Sequence, residues 1–324
     1  MDLKIAKKST LIASIQDAFR QLFIDRNLVY LSGALLLLMF YRVVTPFPSF
    51  HVEILYIFLS AVLGGLLVEL TFAKFRKRKI DPAWLYTPLL MTMLLPITIV
   101  HPINGSFLFW MPAVGAIVAS LYGKLVFGGH KKYVFNPSVV GIIFLSVSFA
   151  LIVAAPGNIA GLLKNHTVTP FTLTYLELLM GPTNGYIGDS FRLGIIVLGL
   201  GLAYLKSIDL KITFAYLGAV MLLTFLGQMY VDGTQFALWE YSTLVGTVMF
   251  AAFFILPDPY TSPNTTVGKI VYGVFAGLIT VLIRTYTSSI EGVIYAVILS
   301  NAFAPLIDSM VNLKPIPALI KGVK

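Results

Sequence analysis

Ten apolar runs separated by short connections divide most of this 324-residue chain, and the positive charges between them fall almost entirely on alternate connections. A helix needs roughly 20 apolar residues to cross a bilayer, so this alternation predicts an all-α integral membrane protein. Composition agrees: 58% of residues are hydrophobic and 11% charged, whereas about a quarter of a soluble domain is charged. A soluble globular fold is excluded.

Hydropathy places spans near 28–47, 52–72, 84–100, 108–127, 136–154, 192–206, 212–230, 238–256, 267–283 and 291–310. Several are short for a straight span, which implies tilt or helix breaks. Of the 23 Lys and Arg, all but Arg42, Lys164, Arg192 and Arg284 lie on one side if the N-terminus is inside. The positive-inside rule therefore selects an N-in, C-in orientation. The net charge of +9 follows from that topology and gives no reason to expect a nucleic-acid partner.

The organisation expected is a cytoplasmic segment 1–27, a transmembrane domain 28–310, and a tail 311–324. Phe19, Leu22, Phe23 and Ile24 stand among basic residues, so the first segment is a candidate amphipathic helix on the inner leaflet, or an ordinary orienting tail. No short apolar core precedes a small-residue cleavage site, so a signal peptide is not expected.

Cysteine is absent, and His51, His101, His130 and His166 stand at span ends or in loops. This chain cannot hold an iron–sulfur cluster by Cys or a mid-membrane haem by paired His. Any electron carried here needs an organic cofactor. Glu69 is the clearest acidic residue inside a span, and an intramembrane carboxylate is a functional candidate by default. Lys74 and Arg76 are close in sequence, so the expected role is a structural ion pair or snorkelling.

Ten spans divide into two sets of five, and a repeated five-helix unit inserts upside down relative to the first. The third span carries Thr87 and ends Leu95-Pro96; the eighth carries Thr247 and ends Leu256-Pro257. The halves expected are 28–154 and 192–310, joined by an outer loop 155–191. Pro96, Pro137, Pro257, Pro259 and Pro263 mark interruptions at span ends.

Three polar clusters break the apolar background: residues 127–138 with Gly128, Gly129 and Asn136, residues 181–190 with Gly188, Asp189 and Ser190, and residues 256–264 with Asp258, Thr261 and Ser262. Glycines permit tight turns there, and Asn136 is a candidate helix cap. Gly-rich turns beside helix N-termini suit phosphate or other anions. Asp189 and Asp258 serve equally well as helix caps on this reading.

Asp81 with Leu89-Leu90 and Leu95-Pro96, Lys124-x-x-Phe127-Gly128-Gly129, Phe135-Asn136-Pro137, Gly185-x-Ile187-Gly188-Asp189-Ser190, Asp258-Pro259-x-Thr261-Ser262-Pro263, Gly268-Lys269, Arg284 and Pro305-Leu306-Ile307-Asp308 occur in order. Together they resemble the membrane subunit family that includes the D subunit of the Rnf complex and the B subunit of the Na⁺-pumping NADH:quinone oxidoreductase. The similarity runs from about residue 81 to 308.

The resemblance implies ten transmembrane helices in two inverted five-helix halves, urea-transporter-like. It also implies membership of a multi-subunit complex coupling electron transfer between NADH and ferredoxin or quinone to Na⁺ or H⁺ movement. Other membrane and peripheral subunits would be its partners, and the chain alone would not be catalytic. Family members carry FMN on a Thr of an S-G-A-T motif. Thr169 before Pro170 occupies that position, but His166, Thr167 and Val168 replace Ser, Gly and Ala. A flavin transferase reading D-x-x-[ST]-G-A-T is not expected to accept this segment.

The flavin readings are covalent FMN at Thr169 and a non-covalent riboflavin or FMN between the halves. Gly128, Gly129, Asn136, Gly188, Asp189, Ser190, Asp258, Thr261 and Ser262 are the candidate cofactor-binding residues. Phe171, Tyr175 and Tyr186 are candidate ring walls, with Lys164 and Arg192 to offset phosphate charge. A solute channel or transporter that kept the bundle but lost flavin attachment is the alternative function, and a purely structural anchor the third.

Overall fold

The computed structural model describes residues 16, 19–20, 23–45, 51–96, 99, 108–149, 179–180, 186–230, 239–287 and 292–311. Thr169, most of the outer loop 155–191 and most of the two terminal segments lie outside them. The described chain is helical, with one isolated bridge between Pro96 and Tyr186.

We number the helices α1 Arg26–Val44, α2 Glu53–Arg76, α3 Tyr86–Met93, α4 Met111–Val118, α5 Pro137–Ser148, α6 Arg192–Tyr204, α7 Leu210–Tyr230, α8 Val248–Phe250, α9 Thr266–Tyr286 and α10 Gly292–Val311. Of these, α1, α2, α7, α9 and α10 are long and apolar enough to cross a membrane on length and composition. Met111–Phe127, α5 and α6 are shorter apolar helices. The molecule is thus a multi-pass membrane protein, and two of the predicted windows are interrupted. Among its described residues, window 84–100 holds one α-helix of eight residues, α3, because the chain leaves the helix ahead of Pro96. Window 238–256 is interrupted at Gly246, where φ is +75°, between a short turn Trp239–Ser242 and α8.

Local chemistry sets the helix starts. Asp25 caps α1 through the Asn27 N–H at 3.0 Å, Asn136 caps α5 through Ser138 N–H at 3.1 Å with Pro137 following, and Thr265 caps α9 through Gly268 N–H at 3.1 Å. Two π-helical segments, Ala119–Lys124 after α4 and Ala251–Ile255 after α8, lead directly into the polar breaks. Such wide turns recur at functional sites because they redirect side chains within an otherwise regular helix.

With lipid as solvent, helix association depends on close packing rather than on a hydrophobic drive. Gly64 of α2 lies against the backbone of Ala113 in α4, where an added Cβ would come within 2.4 Å of the Ala113 carbonyl oxygen. A second pair uses Gly273 and Gly277 of α9, set against Ala215 and Ala219 of α7. In both cases two helices meet through glycine. Many large apolar side chains on the outer faces, such as Leu63, Leu67 and Met229, are exposed, as a lipid-facing surface requires.

Candidate functional site

The break after the π-helical segment of α8 meets the break before α5. Asp258 is buried there. Its Oδ2 accepts from the Tyr133 hydroxyl at 3.1 Å and lies 3.4 Å from Asn136 Nδ2. Its Oδ1 accepts the Tyr260 N–H at 3.0 Å, and its carbonyl oxygen accepts the N–H groups of Thr261 and Ser262. Asn301 of α10 closes the arrangement by accepting the Asn136 N–H at 3.2 Å and donating to the Tyr272 hydroxyl at 2.8 Å. Burial pushes the Asp258 carboxyl up to about 6, against the Tyr260 N–H and the Tyr133 hydroxyl, which favour its charged form.

Two buried hydroxyls on the segments that meet here, Thr261 Oγ1 in the Asp258 turn and Ser300 Oγ on α10 next in sequence to Asn301, have no hydrogen-bond partner among the described residues. Leaving a buried hydroxyl unpaired costs roughly 1–3 kcal/mol, so such groups call for an explanation.

Gly128 and Gly129 stand at φ +113° and +97° in the adjoining turn, as a tight turn demands. Their N–H groups are engaged inside the chain, by the carbonyls of Leu125 and Lys124. The turn instead serves a buried charge cluster. Lys124 Nζ stands 2.5 Å from Glu69 Oε1 and 3.2 Å from Asp81 Oδ1. The His130 N–H and the Ala83 N–H also donate to Asp81, at 2.5 and 2.9 Å. Burial opposes charge on Asp81, but Lys124 and these N–H groups hold it below the ordinary carboxylate range. Glu69 is therefore in a structural ion pair, as expected, but with Lys124 rather than with Lys74 or Arg76.

Asp25 ties the start of α1 to both breaks, accepting from Lys131 Nζ at 2.7 Å, His130 Nε2 at 3.1 Å and the Tyr260 hydroxyl at 3.4 Å. Burial opposes its charge, yet Lys131, His130 and the Asn27 N–H outweigh burial and hold the carboxyl at about 2. Burial lowers His130, with the Asp25 hydrogen bond opposing. A neutral ring bonded to a carboxylate must carry its proton on Nε2.

Gly188, Asp189 and Ser190 lie apart from this cluster, where Gly188 abuts Met93 and Phe250. A Cβ on Gly188 would meet the Met93 carbonyl and the Phe250 ring. Asp189 pairs with Arg192 at 3.1 Å, both buried, and Ser190 Oγ donates to the Ile187 carbonyl at 2.6 Å. Asp189 and Asp258 accordingly act through an ion pair and a turn rather than as helix caps. Stacked rings of Phe250 and Phe254, with centroids 5.2 Å apart, span the distance from Gly188 toward Asp258. Of the candidates, Asn136, Asp258, Thr261 and Ser262 come together, Gly128 and Gly129 stand at the charge cluster beside Asp81, Gly188 to Ser190 form a second locus, and Thr169 lies outside the described residues.

The candidate set read from sequence lacks Lys124, Tyr133, Tyr272 and Asn301. Lys124 and Asn301 carried a signal as members of family-like motifs and Tyr133 as part of the 127–138 polar cluster, whereas Tyr272 shows only a polar atom inside an apolar run.

Residues 24–316 match the NQR2, RnfD, RnfE family. The chain is 29% identical over 276 residues to the B subunit of the Na⁺-translocating NADH-quinone reductase of Ectopseudomonas mendocina, covering 77% of this chain and 64% of that protein's length. It is 29% identical over 269 residues to the D subunit of the ion-translocating oxidoreductase complex of Methanosarcina acetivorans, covering 82% of each. Identity to the D subunit of the proton-translocating ferredoxin:NAD⁺ oxidoreductase complex of Clostridium ljungdahlii is 27% over 287 residues, covering 80% of this chain and 83% of the other.

Proposed function

Since the chain belongs to the NQR2, RnfD, RnfE family, we propose that it is the flavin-binding membrane subunit of an Rnf/Nqr-like, ion-translocating electron-transport complex. In this reading it lies N-in and C-in in the cytoplasmic membrane, packed against other membrane and peripheral subunits. Flavin would supply the one- and two-electron chemistry that the residues of this chain cannot.

The observation that carries the proposal is the convergence of Asn136, Asp258 and Asn301, from three separate segments, with the partnerless Thr261 hydroxyl in the Asp258 turn and a second partnerless hydroxyl, Ser300, next to Asn301 in sequence. A flavin ring system asks for aromatic walls and a few fixed polar atoms. In this reading Tyr133 and Tyr272 would supply the aromatic side chains and these hydroxyls the polar atoms. The attachment segment around Thr169 departs from the family motif, so the flavin at this convergence is read as non-covalent.

Two inverted halves account for a reciprocal pattern. Asp25, just before the first helix of the first half, touches Tyr260 beyond the Leu256-Pro257 break of the second. Tyr186 and Ile187, just before the first helix of the second half, pair with Pro96 and Leu95 at the break of the first. The two glycine-mediated helix pairs support the same relation.

The test is to purify the chain within its co-expressed complex, inspect a denaturing gel for flavin fluorescence, and separate the acid-released fraction by chromatography. Released flavin near one per chain is expected. Fluorescence remaining on the polypeptide would place covalent flavin at a residue such as Thr169, and flavin in neither fraction would contradict the proposal.

A further inference from the structure

At the lysine-rich end of the bundle, a cavity of about 650 Å³ opens beside the buried charge cluster. Its floor is electrostatically almost settled: Lys124 serves Glu69 and Asp81, and Lys131 serves Asp25. One carboxylate charge is left over. Four further cations line the same space, Arg26, Arg78, Lys79 and Lys132. None of the four has an ion-pair partner among the described residues. Positive charge therefore exceeds negative in a confined space, and like charges within a Debye length of about 8 Å repel.

The walls between these cations are apolar, formed by Phe72, Ile80 and Leu125. Phe72 belongs to the last turns of α2, where the nearby Phe75 is exposed. A ligand suited to this space has an anionic head and an apolar body at the end of α2. Two arginines present planar donor forks suited to phosphate oxygens. Basic pockets at the membrane surface between spans take anionic lipid headgroups on these grounds.

We infer that this cavity is a binding site for the phosphodiester headgroup of an anionic phospholipid from the leaflet at the lysine-rich end. Arg26, Arg78, Lys79 and Lys132 neutralise the headgroup, and its acyl chains leave past Phe72 and Phe75 at the end of α2. The site is independent of the flavin reading.

The experiment uses the full chain, delipidated in detergent and titrated separately with dioctanoyl phosphatidylglycerol, dioctanoyl phosphatidylcholine and inorganic phosphate. Thermal unfolding and intact-mass spectra under non-denaturing conditions report binding. Phosphatidylglycerol is expected to raise the midpoint and persist as an adduct, at least tenfold more tightly than phosphatidylcholine, with affinity falling as salt rises. Arg26→Gln with Arg78→Gln should weaken it at least tenfold. Lys79→Gln with Lys132→Gln alters only exposed side chains and should weaken it in the same direction, whereas Lys269→Gln, at the Asp209 pair elsewhere, should not. Equal binding of the two lipids, phosphate binding as tightly as phosphatidylglycerol, or unaltered affinity in both double variants would each overturn the inference.

Discussion

Lys124 Nζ lies 2.5 Å from Glu69 Oε1, inside the helix bundle and with both side chains sealed from solvent. Asp81 shares the same ammonium at 3.2 Å. A buried ion pair adds little net stability over an apolar replacement, but removing one partner strands the other. Lys124→Met should destabilise the fold by about 3–5 kcal/mol, and adding Glu69→Gln with Asp81→Asn should recover part of the loss. Thermal unfolding in detergent measures both, and an unchanged midpoint in Lys124→Met would contradict the pairing.

The glycine contacts between long helices make a second prediction. A Cβ on Gly277 would sit 2.7 Å from Ala219 Cβ, and one on Gly64 would press on the Ala113 backbone, while Gly33 has nothing within 4 Å. Gly64→Val and Gly277→Val should each cost more than the roughly 1–3 kcal/mol typical of overpacking, because backbone opposes them. Gly33→Ala should be neutral or stabilising by about 0.5–1 kcal/mol. Yield of monodisperse protein by size-exclusion chromatography discriminates these outcomes.

In the Gly-Gly turn, both residues need positive φ, but Gly129 also faces Asp81 Oδ2, 2.5 Å from where its Cβ would lie. Gly129→Val should therefore lower folded protein more than Gly128→Val. Wild-type levels of both would contradict the turn.

Asp258 gives the pH dependence its sign. Its carboxyl titrates near 6 in the fold against an ordinary 3.8, so protonation favours the folded state. That contribution is complete below about pH 4 and is lost as pH rises through about 6. Asp25, held at about 2, acts oppositely: its contribution is present above 3.8 and is lost as pH falls toward 2. Asp258→Asn should remove a decline in unfolding midpoint between pH 4 and 6.5 that the unaltered protein shows. Parallel profiles for the two proteins would contradict the assignment.

Sequence patterns carried the broad architecture because apolar runs and prolines are local signals. The helix at Pro137 and its Asn136 cap were readable for that reason. Lys124 and Glu69 were not readable as partners, since they are distant in the chain and Lys74 and Arg76 offered nearer cations. The π-helical segments had no visible mark in composition, yet they precede both polar breaks. Asn301 stands alone in an apolar run, and only the packing of α10 against α5 gives it Asn136 as a neighbour. Gly128 and Gly129 were legible as a turn, but the use of their N–H groups depends on backbone geometry that residue types do not encode.

The most direct test of the proposed flavin binding is the flavin content of purified complex carrying Thr261→Val and Ser300→Ala, changes that remove the two partnerless hydroxyls and little else. The account predicts about one released flavin per chain in the unaltered protein and a loss of several-fold in the double variant at equal folded yield. Equal flavin content in both, or none in the unaltered complex, would contradict it.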